Sequence, residues 1–365
     1  MKILILSVHY LPNIGGAETH ISDLIEALNE RKNDVFLLTY QPLQTNASWK
    51  IYEKGHRYKI FRIPWVSGLF YKFQHKPVLE FLYVFPGIFI FLPFIIIFQR
   101  PDVIHAHGII SGFVAVFWAK IFRIRTVVST HNTYNFSGGK SPNGLINWIF
   151  NNTDHVLCLS KQSAKEIGGL VEDKTKISIF TSWVDLNKFH PFNKILSKRK
   201  LAWKDKFVVL FVGRLVPEKG VPELLSAAKL FNKKIGLKIA GTGILEAKIG
   251  KYYIGKISQK DLPVYYSAAD MVIVPSTHDE GFGRVIVEAL ACGTPVIGSN
   301  RGAIPQVMDE SVGKLIDVTP KNIKETVEYF YNNPEKLRSL TKKARSFAER
   351  RYSNKNVESI LSAYS

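Results

Sequence analysis

Short apolar runs alternate with helical segments along the whole chain, and the alternation restarts near residue 207. The runs of the first half are KILILSV, DVFLLTY, YKIFRIP, DVIHAH, RTVVST and HVLCLS; those of the second half include FVVLFVG, LKIAG, MVIVPS and PVIGS. Between the first two runs, AETHISDLIEALNE places Ile21, Leu24, Ile25 and Leu28 on one helical face. Strands alternating with helices are typical of parallel sheets covered on both faces. The 365 residues therefore predict an α/β chain with two doubly wound, Rossmann-like domains facing a central cleft.

The pattern also predicts where the domains begin and end. We predict a first domain over residues 1–185 and a basic linker over 186–206, where KRKLAWKDK is only weakly periodic. A second domain is predicted over 207–350, and residues 351–365 are predicted as a C-terminal helix that returns to the first domain. In such sheets ligands bind beyond the carboxyl ends of the strands, so the loops there are the candidates for function.

Charge and cysteine content restrict the partners and the compartment. The net charge of +19 favours an anionic partner such as nucleic acid, anionic lipid or a phosphorylated substrate, although a solvated basic surface is the alternative. Cys158 and Cys292 lie far apart in apolar contexts, which indicates two reduced, buried thiols. Because Met1 leads directly into an apolar strand with no signal-peptide pattern, a cytoplasmic protein is expected.

Residues 81–98, FLYVFPGIFIFLPFIIIF, form an uncharged run of 18 residues. Its length would allow a membrane span, but the strands before and after it are expected to share one sheet, which a single crossing would prevent. Pro86, Gly87 and Pro93 also interrupt a simple helix. Two alternatives remain, a buried core helix and a helix lying in the plane of a membrane interface.

The stretch before this run favours the membrane. Residues 50–76 carry seven Lys and Arg residues against Glu53 alone, interleaved with seven aromatic residues. This mixture is typical of an anionic bilayer surface or of single-stranded nucleic acid. Since no nucleic-acid signature accompanies it, we predict a membrane-facing segment at 50–98. We therefore expect a peripheral, monotopic protein at the inner face of a membrane.

Two loops carry groups suited to phosphate. NIGGAETH joins the first strand to the first helix, and Gly15 and Gly16 let the backbone approach an anion there, although a plain tight turn has the same pattern. VGRLVPEKG places Arg214 and Lys219 after the first strand of the second half, where they could hold a diphosphate or be ordinary surface cations. The sequence has no Asp-x-Asp, so these fixed cations could replace a metal.

HAHG places His105 and His107 on one face at the end of a strand. Zinc lacks a full set of ligands here, so one histidine in the cleft, hydrogen-bonding a substrate, is the better interpretation. His131 ends the next strand and is predicted to line the same cleft.

EGFGRVIVE places two glutamates around the predicted start of a helix near Gly283. Glu280 lies in the loop before that helix and Glu288 lies inside it, roughly 10 Å or more away at about 1.5 Å rise per residue. The backbone amides of Phe282–Val285 are expected to be free at the helix start. This separation is too long for one acid–base dyad, so the pair either contacts different parts of one elongated ligand or is a capping glutamate and a solvated one.

Together these motifs, with GTG and PSTHDEGFGRVIVEALACGTPVIGSNRGAIPQV, resemble the retaining glycosyltransferases of family 4, which have the GT-B fold. The resemblance spans nearly the whole chain and implies a UDP- or GDP-linked sugar as donor, with no cofactor and no metal. It implies that Glu280 contacts the sugar, that Glu288 contacts the ribose, and that Arg214 and Lys219 neutralise the diphosphate. His107 would lie near the sugar and acceptor. The implied donor contacts also include Gly15, Gly16, Lys256, Ile257, Gly281, Phe282, Gly283, Arg284 and Val285.

The implied reaction is same-face attack by a hydroxyl of a lipid-linked or glycan acceptor, because no carboxylate is placed as a nucleophile. Two features depart from the family. Ser182-Trp183 replaces the usual Asn-Gly, so Trp183, together with His131, is assigned to the acceptor side. The stretch between Gly243 and Tyr252 leaves little room for a helix. The alternatives are a non-catalytic GT-B protein that binds a glycan or a partner, and a sugar-nucleotide epimerase on the same fold.

Overall fold

The computed structural model describes residues 1–13, 15–45, 47–66, 68–73, 76–130 and 144–365. These residues form two compact units. The first comprises Met1–Ser182 with Lys355–Ser365, and the second comprises Trp183–Asn354. Each unit has its own sheet and its own apolar core. The predicted α/β class with two Rossmann-like domains is confirmed.

The first unit contains an eight-stranded sheet. Its strands are β1 Lys2–Ser7, β2 Asp34–Tyr40, β3 Tyr52–Lys54, β4 Tyr58–Ile63, β5 Val103–His107, β6 Arg125–Thr130, β7 His155–Cys158 and β8 Ile177–Ile179. They lie in the order β3-β4-β2-β1-β5-β6-β7-β8, and every pair is parallel except β3 with β4.

Six helices of the first unit connect these strands. They are α1 Gly16–Glu30, α2 Phe70–Phe73, α3 Pro77–Gln99, α4 Ile109–Phe122, α5 Gly144–Asn152 and α6 Lys161–Gly168. The apolar face predicted for α1 is buried, with Leu24 and Leu28 fully inaccessible. Helix α3 contains the predicted 81–98 run and connects β4 to β5. As expected, β4 and β5 belong to one sheet, which a single membrane crossing by α3 would prevent.

The second unit contains a five-stranded parallel sheet, in the order β10-β9-β11-β12-β13. Its elements in chain order are α7 Lys194–Lys200, β9 Phe207–Val212, α8 Val221–Ala228, β10 Ile235–Ala240, α9 Glu246–Ile249, α10 Leu262–Ala268, β11 Met271–Val274, α11 Arg284–Ala291, β12 Val296–Ser299, α12 Ile304–Val307, β13 Gly313–Ile316, α13 Pro320–Asn332 and α14 Pro334–Arg351.

The prediction that residues 186–206 form a linker is wrong. This interval belongs to the second unit, which begins at Trp183, and it contains helix α7. Lys194 and Lys198 form ion pairs with Asp270 at 3.1 and 2.7 Å. Asp270 also accepts a hydrogen bond from the backbone of Val208 at the start of β9, at 2.8 Å. The basic run therefore docks on its own unit because one carboxylate receives two of its lysines.

The C-terminal residues pack on the first unit. They contain helix α15, Val357–Leu361, followed by a short 3-10 helix, Ser362–Tyr364. Arg125 donates to the carbonyl of Ala363 at 3.1 Å, and Tyr364 is buried against His105 with 2.7 Å between its hydroxyl and Nδ1.

Candidate active site

The loops that follow β9 and β11 meet at the carboxyl edge of the second sheet. β9 and β11 are neighbouring parallel strands, so their carboxyl ends lie side by side. The backbone N–H of Thr277 donates to the carbonyl of Glu218 at 3.0 Å. Gly220, with φ +70°, packs so closely that a Cβ there would lie 1.8 Å from the carbonyl oxygen of Pro275. Since only glycine fits this contact, the two loops are held in a fixed arrangement.

Lys219 and Glu280 form an ion pair across these two loops. Glu280 also accepts a hydrogen bond from the Ser276 hydroxyl at 2.5 Å, and both charged side chains are largely buried. Burial raises the pKa of the Glu280 carboxyl, but the Lys219 charge and these hydrogen bonds outweigh it and hold the pKa below its ordinary value of 4.5. Glu280 is therefore an anion at neutral pH, and it cannot serve as a proton donor there.

The loop after β12 packs against the backbone of Glu280. The carbonyl of Glu280 accepts a hydrogen bond from the backbone of Ala303 at 2.9 Å. Gly302 has φ +55°, and a Cβ there would lie 2.6 Å from the Glu280 nitrogen. Sequence reasoning gave this loop no role. The Arg-Gly-Ala sequence after the apolar run PVIGS was the available signal.

Arg214 follows β9 at the same edge and is exposed. Among the described residues, no ion pair involves its guanidinium. One cation of the predicted pair, Lys219, is thus engaged with Glu280, while Arg214 is open to an anion from solvent.

Helix α11 begins at Arg284, with Gly283 in the left-handed conformation as its N-cap at φ +77°. This start agrees with the prediction. It places residues 281–283 between Glu280 and the helix, with Arg284 and Val285 in the first turn of α11. Phe282 is buried, and its ring packs edge-on against Tyr352 at 5.8 Å between centroids. The ring is therefore an anchor for the loop, so a ligand would meet the backbone of this stretch.

Glu288 is only 4% exposed and lies on the buried side of α11. It accepts hydrogen bonds from the Tyr266 hydroxyl at 2.8 Å and from Nε of Arg284 at 3.0 Å. Burial and the adjacent Glu288 raise the pKa of Tyr266 well above its ordinary value, so the tyrosine stays a hydrogen-bond donor. The alternative of a solvated helix glutamate is wrong. Tyr266 was missed by sequence reasoning because nothing in LPVYYSA distinguishes it from a core residue.

Lys256 and Ile257 lie on a stretch that runs beside β10. Ile254 donates to the carbonyl of Ile239 at 3.0 Å, and Gly241 donates to that of Gly255 at 3.1 Å. Lys256 is exposed and Ile257 half-buried. The short interval before them holds α9, a single turn, and the 3-10 helix Gly250–Tyr252.

On the first unit, Gly15 and Gly16 lie between β1 and α1. Gly15 is the N-cap of α1 with extended backbone at φ −174°, and nothing lies within 4 Å of a Cβ built on Gly16. Gly16 is exposed, but the carboxylate of Glu18 from the first turn lies beside Gly15, so the start of α1 already has an anionic side chain against it.

His105 and His107 share a face of β5, with 4.3 Å between their ring centroids, as the i, i+2 spacing predicts. His105 is inaccessible to solvent, and its Nε2 lies 2.6 Å from the Ser129 hydroxyl while its Nδ1 meets Tyr364. Both ring nitrogens are thus engaged inside the unit, so His105 is a structural residue. Among the described residues, no group of three His, Cys, Asp or Glu could hold a metal ion.

His20 lies near His107, and the sequence did not predict this proximity. Its ring lies 6.3 Å from that of His107, and its Nδ1 lies 3.1 Å from the Ser182 hydroxyl. Ser182 is the residue that departs from the family pattern, so its role here is a contact with the first helix. The histidine that ends GGAETH was the signal that could have identified His20.

The two residues predicted on the acceptor side have different outcomes. His131 lies outside the described residues. Trp183 is 2% exposed, and its carbonyl accepts a hydrogen bond from Arg284 at 3.3 Å. Its burial offers no surface to an acceptor and argues against the predicted contact.

Comparison with known families identifies the chain. The model of Glycosyltransferase Family 4 matches residues 14–188, and that of Glycosyl transferases group 1 matches residues 193–347. The protein belongs to the group 1, family 4 glycosyltransferases. This result confirms the resemblance carried by the motifs around Gly15, Arg214 and Glu280.

Among curated members of the family, an uncharacterized glycosyltransferase of Methanocaldococcus jannaschii is 24% identical over 100% of this chain and 98% of its own. The GPI3 protein of phosphatidylinositol N-acetylglucosaminyltransferase from Saccharomyces cerevisiae is 24% identical over 88% of this chain and 75% of its own. The D-inositol 3-phosphate glycosyltransferase of Segniliparus rotundus is 31% identical over 53% of this chain and 47% of its own.

Solved structures share the fold. Sucrose-phosphate synthase of Thermosynechococcus elongatus aligns with a TM-score of 0.83 at 21% identity, covering 100% of this chain and 98% of the other. HepE of Anabaena, solved in complex with UDP, aligns at 0.75 and 19% identity over 100% of both chains. These neighbours are GT-B glycosyltransferases, and the GT-B fold predicted from the sequence is confirmed.

Proposed function

We propose that this glycosyltransferase moves a hexose-type sugar from a nucleoside diphosphate donor to a hydroxyl of a lipid-linked or glycan acceptor, with retention of configuration and without a metal. The observation that carries the proposal is the Lys219–Glu280 ion pair at the carboxyl edge of the second sheet, the edge at which the exposed Arg214 also follows β9. Three charged groups thus follow the carboxyl ends of two neighbouring strands, the usual ligand site of such sheets.

The donor diphosphate would be held by fixed positive groups. Arg214 presents a planar fork of N–H donors and Lys219 a compact charge, and both suit phosphate oxygens. The start of α11 adds backbone N–H groups and the positive end of a helix. The complex of HepE with UDP supports a nucleoside diphosphate as ligand. We propose no metal because these cations supply the positive charge that a metal would bring.

The remaining parts of the donor are assigned to residues of both units. We propose that Glu280 contacts sugar hydroxyls and that Glu288, fixed by Tyr266, contacts the ribose. Lys256 and Ile257 would lie by the base. His107, with Gly15 and Gly16, belongs to the first unit, which we propose serves the acceptor and the donor phosphates.

The engagement of the carboxylates bears on the route by which retention would be achieved. A double displacement needs a carboxylate that attacks the anomeric carbon, but Glu280 is bound to Lys219 and Ser276, and Glu288 to Arg284 and Tyr266. We therefore propose that the acceptor hydroxyl attacks on the face that the diphosphate leaves. Its proton passes to the leaving phosphate, whose developing charge Arg214 and Lys219 stabilise.

The experiment is a screen of UDP- and GDP-sugars for nucleotide release by the EDTA-treated protein. We expect release with at least one donor, and Arg214→Ala is expected to lower kcat/KM about 10²-fold or more. Lys233→Ala is the matched control, since Lys233 is an exposed cation at the opposite edge of the same sheet, just before β10. If no donor is turned over, or if both variants behave alike, the proposal is wrong.

A further inference from the structure

Helix α3 exposes a continuous apolar stripe along its outer side. The five exposed side chains at helical spacing, here called the outer stripe, are Leu79, Leu82, Ile90, Phe94 and Ile97. Pro86 and Pro93 lie on the same side, because 100° per residue places them between these positions. Ile90 and Phe94 are 56% and 55% exposed, and Phe98 beside them is 76% exposed. A surface of this kind indicates an interaction site.

The opposite side of α3 is part of the core. Val84, Ile88, Leu92 and Ile96 recur every four residues and are buried at 0–3% exposure. The helix is the one element in the described part of the chain long and apolar enough to cross a membrane, yet its inner side is committed to the protein and its ends lead into strands of one sheet. Only about a third of its most apolar stretch is buried, so α3 is not wholly enclosed in the core either.

Two interruptions in the backbone hydrogen bonding of α3 are satisfied by side chains from inside the unit. Pro93 has no N–H for the carbonyl of Phe89, and Trp118 donates its Nε1 hydrogen to that carbonyl instead, at 3.0 Å. One turn earlier, the Tyr40 hydroxyl accepts from the N–H of Ile88 at 3.0 Å and donates to the carbonyl of Val84. These contacts attach the helix to the unit at both interruptions.

Basic residues lie at both ends of the helix. Lys72 and Lys76 precede it, Arg100 follows it, and Arg123 follows the neighbouring α4; all four are exposed. Glu80 is the only acidic residue within α3 or α4. The broader basic and aromatic patch predicted at 50–76 is partly internal, since Arg62 pairs with Glu53 and Phe70 is buried. The remaining charge suits anionic headgroups.

We propose that the outer stripe of α3 inserts into the acyl–headgroup boundary of an anionic lipid bilayer, with the helix lying in the membrane plane. The outer stripe runs from Leu79 to Ile97, about 27 Å at 1.5 Å per residue. The protein covers the inner side of α3, so the helix presents only this apolar side to the boundary, as interfacial helices do. The inference stands on the geometry of α3; only its link to a lipid-linked acceptor rests on the proposed function.

The direct test is to attach a dye to the outer stripe and to measure whether its surroundings change when vesicles are added. Cys158 and Cys292 are buried, and burial raises the pKa of both thiols, so a new exposed cysteine can be labelled selectively. Ile90→Cys and Phe94→Cys carry an environment-sensitive dye, and Leu230→Cys, 57% exposed in the second unit, is the control. With vesicles of phosphatidylglycerol and phosphatidylcholine, we expect a blue shift at positions 90 and 94 and none at 230. A shift at all three positions, or at none, overturns the proposal.

A second measurement asks whether the stripe drives binding. Ile90→Glu/Phe94→Glu is expected to weaken co-sedimentation with these vesicles at least tenfold, since a carboxylate is costly at this depth. Leu230→Glu is expected to bind like the wild type. Because the altered side chains are exposed, the fold is expected to survive, and circular dichroism checks it. Equal binding by wild type and double variant, or a wild-type dimer that the double variant breaks without any vesicle binding, overturns the proposal.

The membrane claim and the proposed function can fail separately. Nucleotide release from a water-soluble donor, without vesicles, is expected to be unchanged in Ile90→Glu/Phe94→Glu, because α3 contributes none of the proposed donor contacts. A double variant that keeps this release but loses vesicle binding supports the inference. If this variant also loses nucleotide release without vesicles while remaining folded, the assignment of α3 to membrane binding alone is wrong.

Discussion

Lys219 and Glu280 form an ion pair between a turn after β9 and the loop after β11, 61 residues apart in the chain. The pair links a group suited to phosphate with a group suited to sugar hydroxyls. In the proposed reaction, Lys219 would exchange part of its contact with Glu280 for the departing diphosphate. A cation already fixed at the site costs little reorganisation when that charge develops.

Loss of Lys219 is expected to affect both stability and turnover, and only the stability should be restored when Glu280 is removed as well. Lys219→Ala is expected to lower kcat/KM about 10²–10³-fold and the free energy of unfolding by about 1–3 kcal/mol, because Glu280 is left as a largely buried, partly unpaired carboxylate. In Lys219→Ala/Glu280→Ala the stability is expected to recover in part but the turnover is not. Denaturant unfolding measures the stability of both variants, and steady-state kinetics measures their kcat/KM. Recovery of turnover in the double variant would contradict the role given to Lys219.

The lowered pKa of Glu280 predicts a pH dependence. A carboxyl whose pKa is lower in the folded state stabilises the protein above its unfolded pKa, and this contribution is lost as the pH falls through the folded value. We therefore expect the stability difference between wild type and Glu280→Gln to be greatest at neutral pH. Below the ordinary value of 4.5 the difference should shrink. Unfolding curves from pH 7 to pH 3 measure it, and a difference that grows on acidification would refute the assignment.

Gly302 should be intolerant of any side chain. Gly302→Ala places a Cβ 2.6 Å from the backbone of Glu280, at a positive φ, so we expect a loss of more than about 1 kcal/mol and a sharp fall in donor turnover. Gly250→Ala is the matched control, since Gly250 has nearly the same φ, +59°, with nothing within 4 Å of its Cβ. Equal behaviour of the two variants in unfolding and kinetics would show that backbone strain alone matters and that the contact with Glu280 does not.

Ser182 should act through His20. Ser182→Ala removes the hydroxyl that meets His20 at 3.1 Å, with an expected cost of about 1 kcal/mol, and turnover should fall several-fold if His20 and His107 serve the acceptor. Ser178→Ala removes a comparable contact, 2.8 Å from His155, at the far edge strand β8. The control is expected to lose similar stability with unchanged kinetics. The same kinetic effect from both variants would exclude a role for the Ser182–His20 contact at the site.

The period of the apolar runs predicted the two parallel sheets, because buried strands and amphipathic helices leave different spacings in a sequence. The position of Glu280 before α11 followed from the same pattern. The linker prediction was wrong because a basic run in a sequence is typical of a solvated segment. The carboxylate that binds Lys194 and Lys198, that of Asp270, lies more than 70 residues away in the chain.

Contacts between distant loops could not be predicted from the sequence. The Lys219–Glu280 pair, the support of Glu280 by Gly302, and the meeting of His20 with Ser182 each depend on which loops the sheet order brings together. The two sides of α3 were also unpredictable, since its sequence is apolar all round and only packing shows which side is left exposed.

The most direct test of the central claim is the fate of the donor sugar. Proton NMR of the reaction with an α-linked UDP- or GDP-sugar, in EDTA and with a lipid-linked or glycan acceptor, follows the anomeric signal of the transferred hexose. We expect nucleoside diphosphate release with the new linkage in the α configuration. A β-linked product, or a reaction that requires added metal, would contradict it.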